Sequence, residues 1–344
     1  MAGNSEHSAV VFGCEGLSLR DNERRFFQDC DPLGFILFAR NIETPDQVRK
    51  LVDDLRGCVG RADALVLIDQ EGGRVARLQA PTWRKAPAAG RIGSLYEADP
   101  DAGLEAARLN GRLLAADLEP LGINVDCAPV LDLLFPETHA IIGDRSFGAS
   151  PKAVTPLARA LSEGLLAGGI LPVIKHIPGH GRATLDSHEA LPVVETLRGE
   201  LEKTDFAPFR DLADMPMAMT AHVVYSAIDA AAPATTSPAV IDEIIRGFIG
   251  FDGLLFSDDL SMQALEGGLG DRAQAARKAG CDVMLHCNGV LDEMVAVAKH
   301  CGRLTSAASR RLKRAMDCLR PVEPYEDAAS RFAVLMEREP TRAD

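Results

Sequence analysis

A chain of 344 residues is long enough for one large barrel or two ordinary domains, and its 47% hydrophobic and 25% charged residues are those of a globular protein. With 37 Lys and Arg against 50 Asp and Glu, the formal charge of -13 argues against a nucleic-acid binder, whose phosphate contacts need clustered base. No apolar stretch approaches about 18 residues, and MAGNSEHSAVVFG has no basic segment followed by a long apolar one, so neither a membrane span nor a signal peptide is expected.

Taken in chain order, short apolar runs recur at 9–13, 34–38, 64–68, 123–127, 170–174, 216–221, 253–256 and 282–285. Continuous runs of this length fit parallel strands buried on both faces. Segments with helical spacing lie between them. Thr44–Cys58 opens on Thr-Pro, Asp101–Leu118 is rich in Ala, Leu, Arg and Glu, and Ser150-Pro151 and Ser237-Pro238 open two more. Eight strand-helix units predict a single-domain (β/α)8 barrel over 1–320, with the charged, proline-containing segment 321–344 as a C-terminal helix or tail. A doubly wound sheet is the alternative, weakened because no GxGxxG or Walker sequence follows the first strand. The eight cysteines form no CxxC pair. Cys14, Cys127, Cys281 and Cys287 sit in or beside apolar runs and read as buried free thiols, so a cytoplasmic setting is expected.

A barrel carries its chemistry where the strands end. Those ends hold Glu15, Arg40-Asn41, Asp69, Asp126, Lys175-His176, His222, Asp258-Asp259 and His286. Buried strands rarely finish in such costly residues unless something uses them.

Lys175-His176-Ile177-Pro178-Gly179-His180-Gly181, continuing to Asp186-Ser187-His188, follows the fifth strand. A single histidine there reads as an ordinary packed or surface residue, but three with an aspartate on one strand-end loop point to chemistry. Zinc held by His176, His180 and His188 is one alternative, yet H-x3-H-x7-H matches no standard zinc pattern and a Gly-Pro loop is a poor cage. A Schiff base on Lys175 is another, weakened by the adjacent histidine and the missing phosphate-binding glycine motif. No metal and no cofactor are expected.

Two carboxylates end the seventh run in Phe256-Ser257-Asp258-Asp259-Leu260. Neighbours on a strand point to opposite faces, so one is a candidate nucleophile or base and the other caps the following helix or orients a neighbour, and the sequence alone leaves the choice open. In Asp69-Gln70-Glu71-Gly72-Gly73-Arg74-Val75-Ala76-Arg77, two glycines let the loop approach a ligand and Asp69 can accept from two hydroxyls. Gly143-Asp144-Arg145 adds an arginine after the fourth strand.

In this order DQEGGR, GDRSF, KHIPGHG with DSH, and FSDDLSM resemble the single-domain bacterial β-N-acetylhexosaminidases of glycoside hydrolase family 3, known for peptidoglycan recycling. The resemblance runs from about Leu33 to Asn288, with LFAR and MTAHVVYS fitting as well. Ile177 replaces the family's usual phenylalanine, a packing departure that leaves the polar positions intact. The resemblance implies that Asp258 is the nucleophile, His188 the acid/base and Asp186 the residue that orients it. It also implies that Asp69, Arg77, Arg145, Lys175 and His176 bind substrate, and it places His222 on the pocket wall.

The implied reaction is retaining hydrolysis of terminal β-linked N-acetylglucosamine through a covalent glycosyl-Asp258. Its substrate would be GlcNAc-1,6-anhydro-N-acetylmuramic acid with or without peptide. A histidine with an ordinary pKa of about 6.5 suits proton transfer near neutrality, and a glycine-bounded loop suits a lid that brings it into place. Neutral imidazole does not repel an anionic acceptor as a carboxylate does, so phosphorolysis of the same glycosides is an alternative. A non-catalytic sugar-binding barrel is the other, opposed by the presence of Asp258, Asp186 and His188 together. The expected partner is a small amino sugar or muropeptide, with no nucleic acid and no membrane, and the sequence carries no signal for oligomeric state.

Overall fold

The computed structural model describes residues 7–187, 190–319, 322 and 326–337. Eight parallel strands close a barrel in sequential order: β1 (Ser8–Gly13), β2 (Pro32–Leu37), β3 (Leu65–Ile68), β4 (Val125–Asp126), β5 (Leu171–Ile177), β6 (Met217–Thr220), β7 (Leu254–Asp259) and β8 (Val283–His286). Each lies on one of the apolar runs, so the (β/α)8 expectation holds and the doubly wound alternative falls. The strand interiors are sealed on both sides, with Val10, Phe35, Val66, Val173, Leu255 and Val283 almost without solvent contact.

The strand ends differ from the apolar pattern in an instructive way. β5 runs on through Lys175, His176 and Ile177, and β7 runs on through Ser257, Asp258 and Asp259. Ladder hydrogen bonds come from the main chain, so pairing continues where the side chains turn polar. Both extensions carry register shifts, between Lys175 and Ile177 against β6 and between Phe256 and Asp259 against β8. Such irregularities re-aim side chains beside a site. The Lys175–His176 and Ile177–Pro178 peptides are cis.

Outer helices begin where the capping residues predict. Thr44 Oγ1 accepts from Gln47 N at the start of Pro45–Val59, Asp99 from Ala102 N before Pro100–Leu118, and Ser150 from Lys152 N before Pro151–Ala167. Val48, Leu51, Val52 and Leu55 form the buried stripe of the first of these, at the spacing of one helix face. After Ser237 the chain winds into a wide π-type helix over Val240–Phe248. Helix Ala328–Met336 packs on Pro100–Leu118, with Phe332 beneath the Arg84 guanidinium at 5.4 Å. All eight cysteines are free thiols, six of them buried. Among the described residues no helix is long and apolar enough to cross a membrane.

Candidate active site

A cavity of about 260 Å³ opens at the C-terminal end of the barrel, bordered by Asp69, Arg77, Arg145, Lys175, His176 and Asp258. Phe38, Met219 and Met262 give it an apolar wall. A larger hollow of about 640 Å³ lies outside the barrel between helix Pro100–Leu118 and residues 327–330. No strand-end residue reaches it, so the chemistry belongs to the smaller cavity.

Its polar side is an alternating chain of charges. Asp69, just past β3, accepts from Lys175 Nζ at 2.8 Å and from Arg77 Nη2 at 3.0 Å. The same Lys175 Nζ lies 2.7 Å from Glu71 Oε1. Arg145 closes the chain with a fork, Nε to Glu71 Oε2 at 2.8 Å and Nη2 to Oε1 at 2.9 Å. Burial alone would raise both carboxyls and lower the ammonium, but the neighbouring opposite charges outweigh it. Asp69 is held well below the usual carboxylate range by Lys175 and Arg77, and Glu71 is brought down to about 2 by Arg145 and Lys175. Lys175 is held above its ordinary value by Asp69 and Glu71. Asp69, Glu71 and Lys175 therefore favour their charged forms, the condition under which buried pairs are tolerated.

The loop that carries Asp69 and Glu71 doubles back on itself. Gln70 Oε1 accepts from Arg77 N at 2.8 Å and Leu78 N at 3.0 Å, which returns Arg77 to Asp69. Gly72 has φ +100°, and a Cβ there would meet the Pro87 carbonyl at 2.2 Å. Only glycine serves that turn.

His176 is oriented by a buried carboxylate, its Nδ1 lying 2.7 Å from Asp132 Oδ2. Asp132 Oδ1 also accepts from the backbone N–H groups of His176 at 3.3 Å and His180 at 2.6 Å. Burial pushes the Asp132 carboxyl up, and its His176 and His180 partners together bring it below its ordinary value. This is the carboxylate-histidine arrangement that fixes a ring and its tautomer.

At the end of β7 the two aspartates have separate tasks. Asp259 Oδ1 accepts from Ser261 N at 3.1 Å and Cys287 N at 3.2 Å, while Oδ2 accepts from Ser261 Oγ at 2.6 Å. Its carboxylate is committed to the turn. Asp258 borders the cavity, and among the described residues its carboxylate accepts one hydrogen bond, from Asp259 N at 2.8 Å. Burial pushes the Asp258 carboxyl up, and the His222 and His176 imidazoles, the Asp259 amide and Lys175 bring it below its ordinary value. Burial pushes His222 itself down toward the neutral form.

The remaining strand-end residues divide. His222 is fully buried and is not among the residues that line the cavity, with Nδ1 2.7 Å from Thr235 Oγ1 and Nε2 3.0 Å from the Asp259 carbonyl. Arg40 and Asn41 stitch the β1 and β2 loops through the Cys14 carbonyl, and Glu15 pairs with Arg20 on the surface. Asp126 lies beneath the cavity, where Gln70 N donates to Oδ1 at 3.0 Å and burial pushes its carboxyl up to about 7.

Asp186 is half-buried on the loop after β5, and its carbonyl accepts from Ala190 N at 2.9 Å. His188 lies outside the described residues. Among the described residues no three His, Cys, Asp or Glu side chains gather as a metal site requires, and the third imidazole of the zinc alternative is the same His188.

Sequence reasoning did not assign Glu71 or Asp132. Glu71 stands inside the DQEGGR motif, where its only signal is a second carboxylate beside a strand-end aspartate. Asp132 follows β4 by six residues in an apolar stretch, and a buried aspartate among Val130, Leu131 and Leu133 is itself the signal.

Residues 15–316 match the family model described as the glycosyl hydrolase family 3 N-terminal domain. A beta-hexosaminidase of Alkalilimnicola ehrlichii is 42% identical over 285 residues, covering 81% of this chain and 80% of that protein. One from Bordetella avium is 41% identical over 283 residues, covering 81% of this chain and 80% of that protein. Among solved structures, NagZ from Neisseria gonorrhoeae in complex with N-trifluoroacetyl-D-glucosamine superposes with TM-score 0.85 at 33% identity, over 96% of this chain and 97% of that one.

Proposed function

This chain belongs to glycosyl hydrolase family 3, and on that premise we propose that it removes terminal β-linked N-acetylglucosamine from cell-wall fragments through a covalent glycosyl-Asp258. It is a glycoside hydrolase of the β-N-acetylhexosaminidase type. The finer reading takes GlcNAc-1,6-anhydro-N-acetylmuramic acid, with or without its peptide, as substrate, in the cytoplasm.

The observation that carries the reading is Asp258 at the cavity edge, ionised and with most of its hydrogen-bonding capacity unspent, beside a neighbour whose carboxylate is fully used. In a retaining reaction this carboxylate attacks the anomeric carbon while a proton donor protonates the departing oxygen. His188 fills that second role in our reading, with Asp186 setting its tautomer. The oxygen of the glycosidic bond takes the imidazole proton as the bond to carbon breaks. Water then gives its proton back to the imidazole as it attacks the ester, and Asp258 leaves as carboxylate. Asp69, Lys175, Arg77, Arg145 and His176 form the polar side that receives the sugar's hydroxyls, and the preset charges need no reorganisation when it arrives. The acceptor in this reading is water.

The test is an aryl β-N-acetylglucosaminide followed by proton NMR. The reading expects turnover, with the β-anomer of N-acetylglucosamine appearing first. First appearance of the α-anomer, or no turnover, removes it.

A further inference from the structure

Arg40 is exposed at the C-terminal end of the barrel, in the turn that follows β2. Its guanidinium is tied to two main-chain carbonyls just past the ends of β1 and β8. Nε donates to the Cys14 carbonyl at 2.9 Å and Nη2 donates to the Cys287 carbonyl. The Phe38 ring lies alongside, its centroid 4.9 Å from Cζ.

The guanidinium stands on the inner side of the barrel mouth. Gly13, the last residue of β1, pairs with Ile36, and Ile36, Phe38 and Cys287 all border the cavity. Paired residues of neighbouring strands project to one face, so a side chain at Gly13 would point inward. A Cβ built there would stand 2.8 Å from Arg40 Nη2. Arg40 thus occupies the place that Gly13 leaves open in the ring of inward-facing residues.

The cations that line the cavity are spent on carboxylates: Lys175 on Asp69 and Glu71, Arg77 on Asp69, and Arg145 on Glu71. Arg40 is not. Its described partners are two carbonyls and a ring, none of which cancels its charge, and Nη1 donates to no described residue. The acids of the adjoining loop are engaged elsewhere. Glu15 pairs with Arg20 at 2.6 Å, and the buried Glu23 carboxylate accepts from the main-chain N–H groups of Glu15 and Arg20. A guanidinium that is fixed, uncompensated and open to solvent is suited to receive a carboxylate.

Position says where that carboxylate comes from. The charged side of the cavity is built on the ends of β3 and β5 and the loop after β4, and in a closed ring of eight strands β8 stands opposite β4. A sugar with its hydroxyls on the charged side and its anomeric carbon at Asp258, on β7, sends its leaving group toward β8 and β1. Arg40 bridges those two strands. We propose that Arg40 is the anion-binding residue of a second subsite, which takes a carboxylate carried by the leaving group close to the bond that breaks. The proposal rests on the reading of Asp258 as nucleophile. The muramic acid unit of the substrate in that reading bears such a carboxylate, on the ether beside its glycosidic linkage. A chain of formal charge -13 repels anions at long range, so a preference for an acidic leaving group has to come from a local cation.

Two substrates that differ only in that group test it: N-acetylglucosamine β-linked to N-acetylmuramic acid, and the methyl ester of its lactyl carboxylate. The wild-type enzyme should favour acid over ester about tenfold in kcat/KM at low salt, mostly through KM, and lose most of the preference at about 1 M salt. In Arg40→Gln the ratio should fall to about one, whereas Arg40→Lys, which keeps the charge without the fork, should retain part of it. The ester controls for the loops that Arg40 ties, because damage to the fold or the cavity moves both substrates together and leaves the ratio alone.

Equal kcat/KM for acid and ester in the wild type, or a preference that survives Arg40→Gln, overturns the proposal. Turnover of a neutral aryl β-N-acetylglucosaminide that is abolished in Asp258→Ala tests the underlying reading separately. If that holds while acid and ester react alike, the second subsite alone is lost.

Discussion

Lys175 Nζ lies 2.7 Å from Glu71 Oε1, joining the end of β5 to the loop after β3 through a pair almost sealed from solvent. Asp69 takes the same ammonium, so one lysine neutralises two carboxylates that would otherwise repel each other at the edge of the cavity. The charged side of the cavity is thereby built before any ligand arrives.

Removing the lysine charge leaves both carboxylates buried without it. Lys175→Met should destabilise the fold by about 3–5 kcal/mol, the usual cost of breaking a buried pair from one side. Denaturant unfolding of the purified variant measures this. A loss below about 1 kcal/mol would show that the network carries no more than a surface pair.

Asp132→Asn replaces the carboxylate that orients His176 and keeps the side chain's size. The amide still accepts through one oxygen but weakens the charge-assisted bond to Nδ1. The expected result is a fall of about 10–100-fold in kcat/KM with little loss of stability, the range seen when the partner of a working histidine is changed. Kinetics beside a thermal melt separate this from simple unfolding.

Two buried carboxyls give opposite pH signatures. Glu71 falls from 4.5 to about 2 on folding, so its contribution to stability is complete above about 4.5 and is lost as pH drops through about 2. Asp126 rises from 3.8 to about 7, so its contribution is complete below about 3.8 and is lost as pH climbs through about 7. Asp126→Asn removes only the second effect. Its melting temperature relative to wild type should improve between pH 5 and pH 8, and an unchanged difference across that interval would show that Asp126 does not hold a proton.

His188→Ala should cut turnover of natural sugars by about 10²–10⁴-fold, the usual size of general acid catalysis, and spare dinitrophenyl glycosides, whose departing oxygen needs no proton. Equal losses on both classes would remove His188 from that role.

The barrel was legible because eight apolar runs mark eight buried parallel strands, and Thr44, Asp99 and Ser150 mark helix starts. The strand ends were less so, because Lys175, His176, Asp258 and Asp259 continue ladders that a hydrophobic pattern stops short of. Alternation could not choose between Asp258 and Asp259. Hydrogen bonding distinguishes them, since Asp259 is absorbed by Ser261, two residues on, and by Cys287, which the β7–β8 register brings alongside. His222 shows the converse limit. The family resemblance places it on the pocket wall, yet the buried ring pairs with Thr235 Oγ1, thirteen residues on, and with the Asp259 carbonyl.

The covalent step on Asp258 is tested most directly by trapping it. Incubation with a slow, activated 5-fluoro N-acetylglucosaminyl fluoride, followed by intact-protein and peptide mass spectrometry, should give one sugar adduct per chain on the peptide containing Asp258. No such adduct should form in Asp258→Asn. An adduct on Asp259 or any other residue, or complete turnover with no adduct at any time, would contradict Asp258 as the nucleophile.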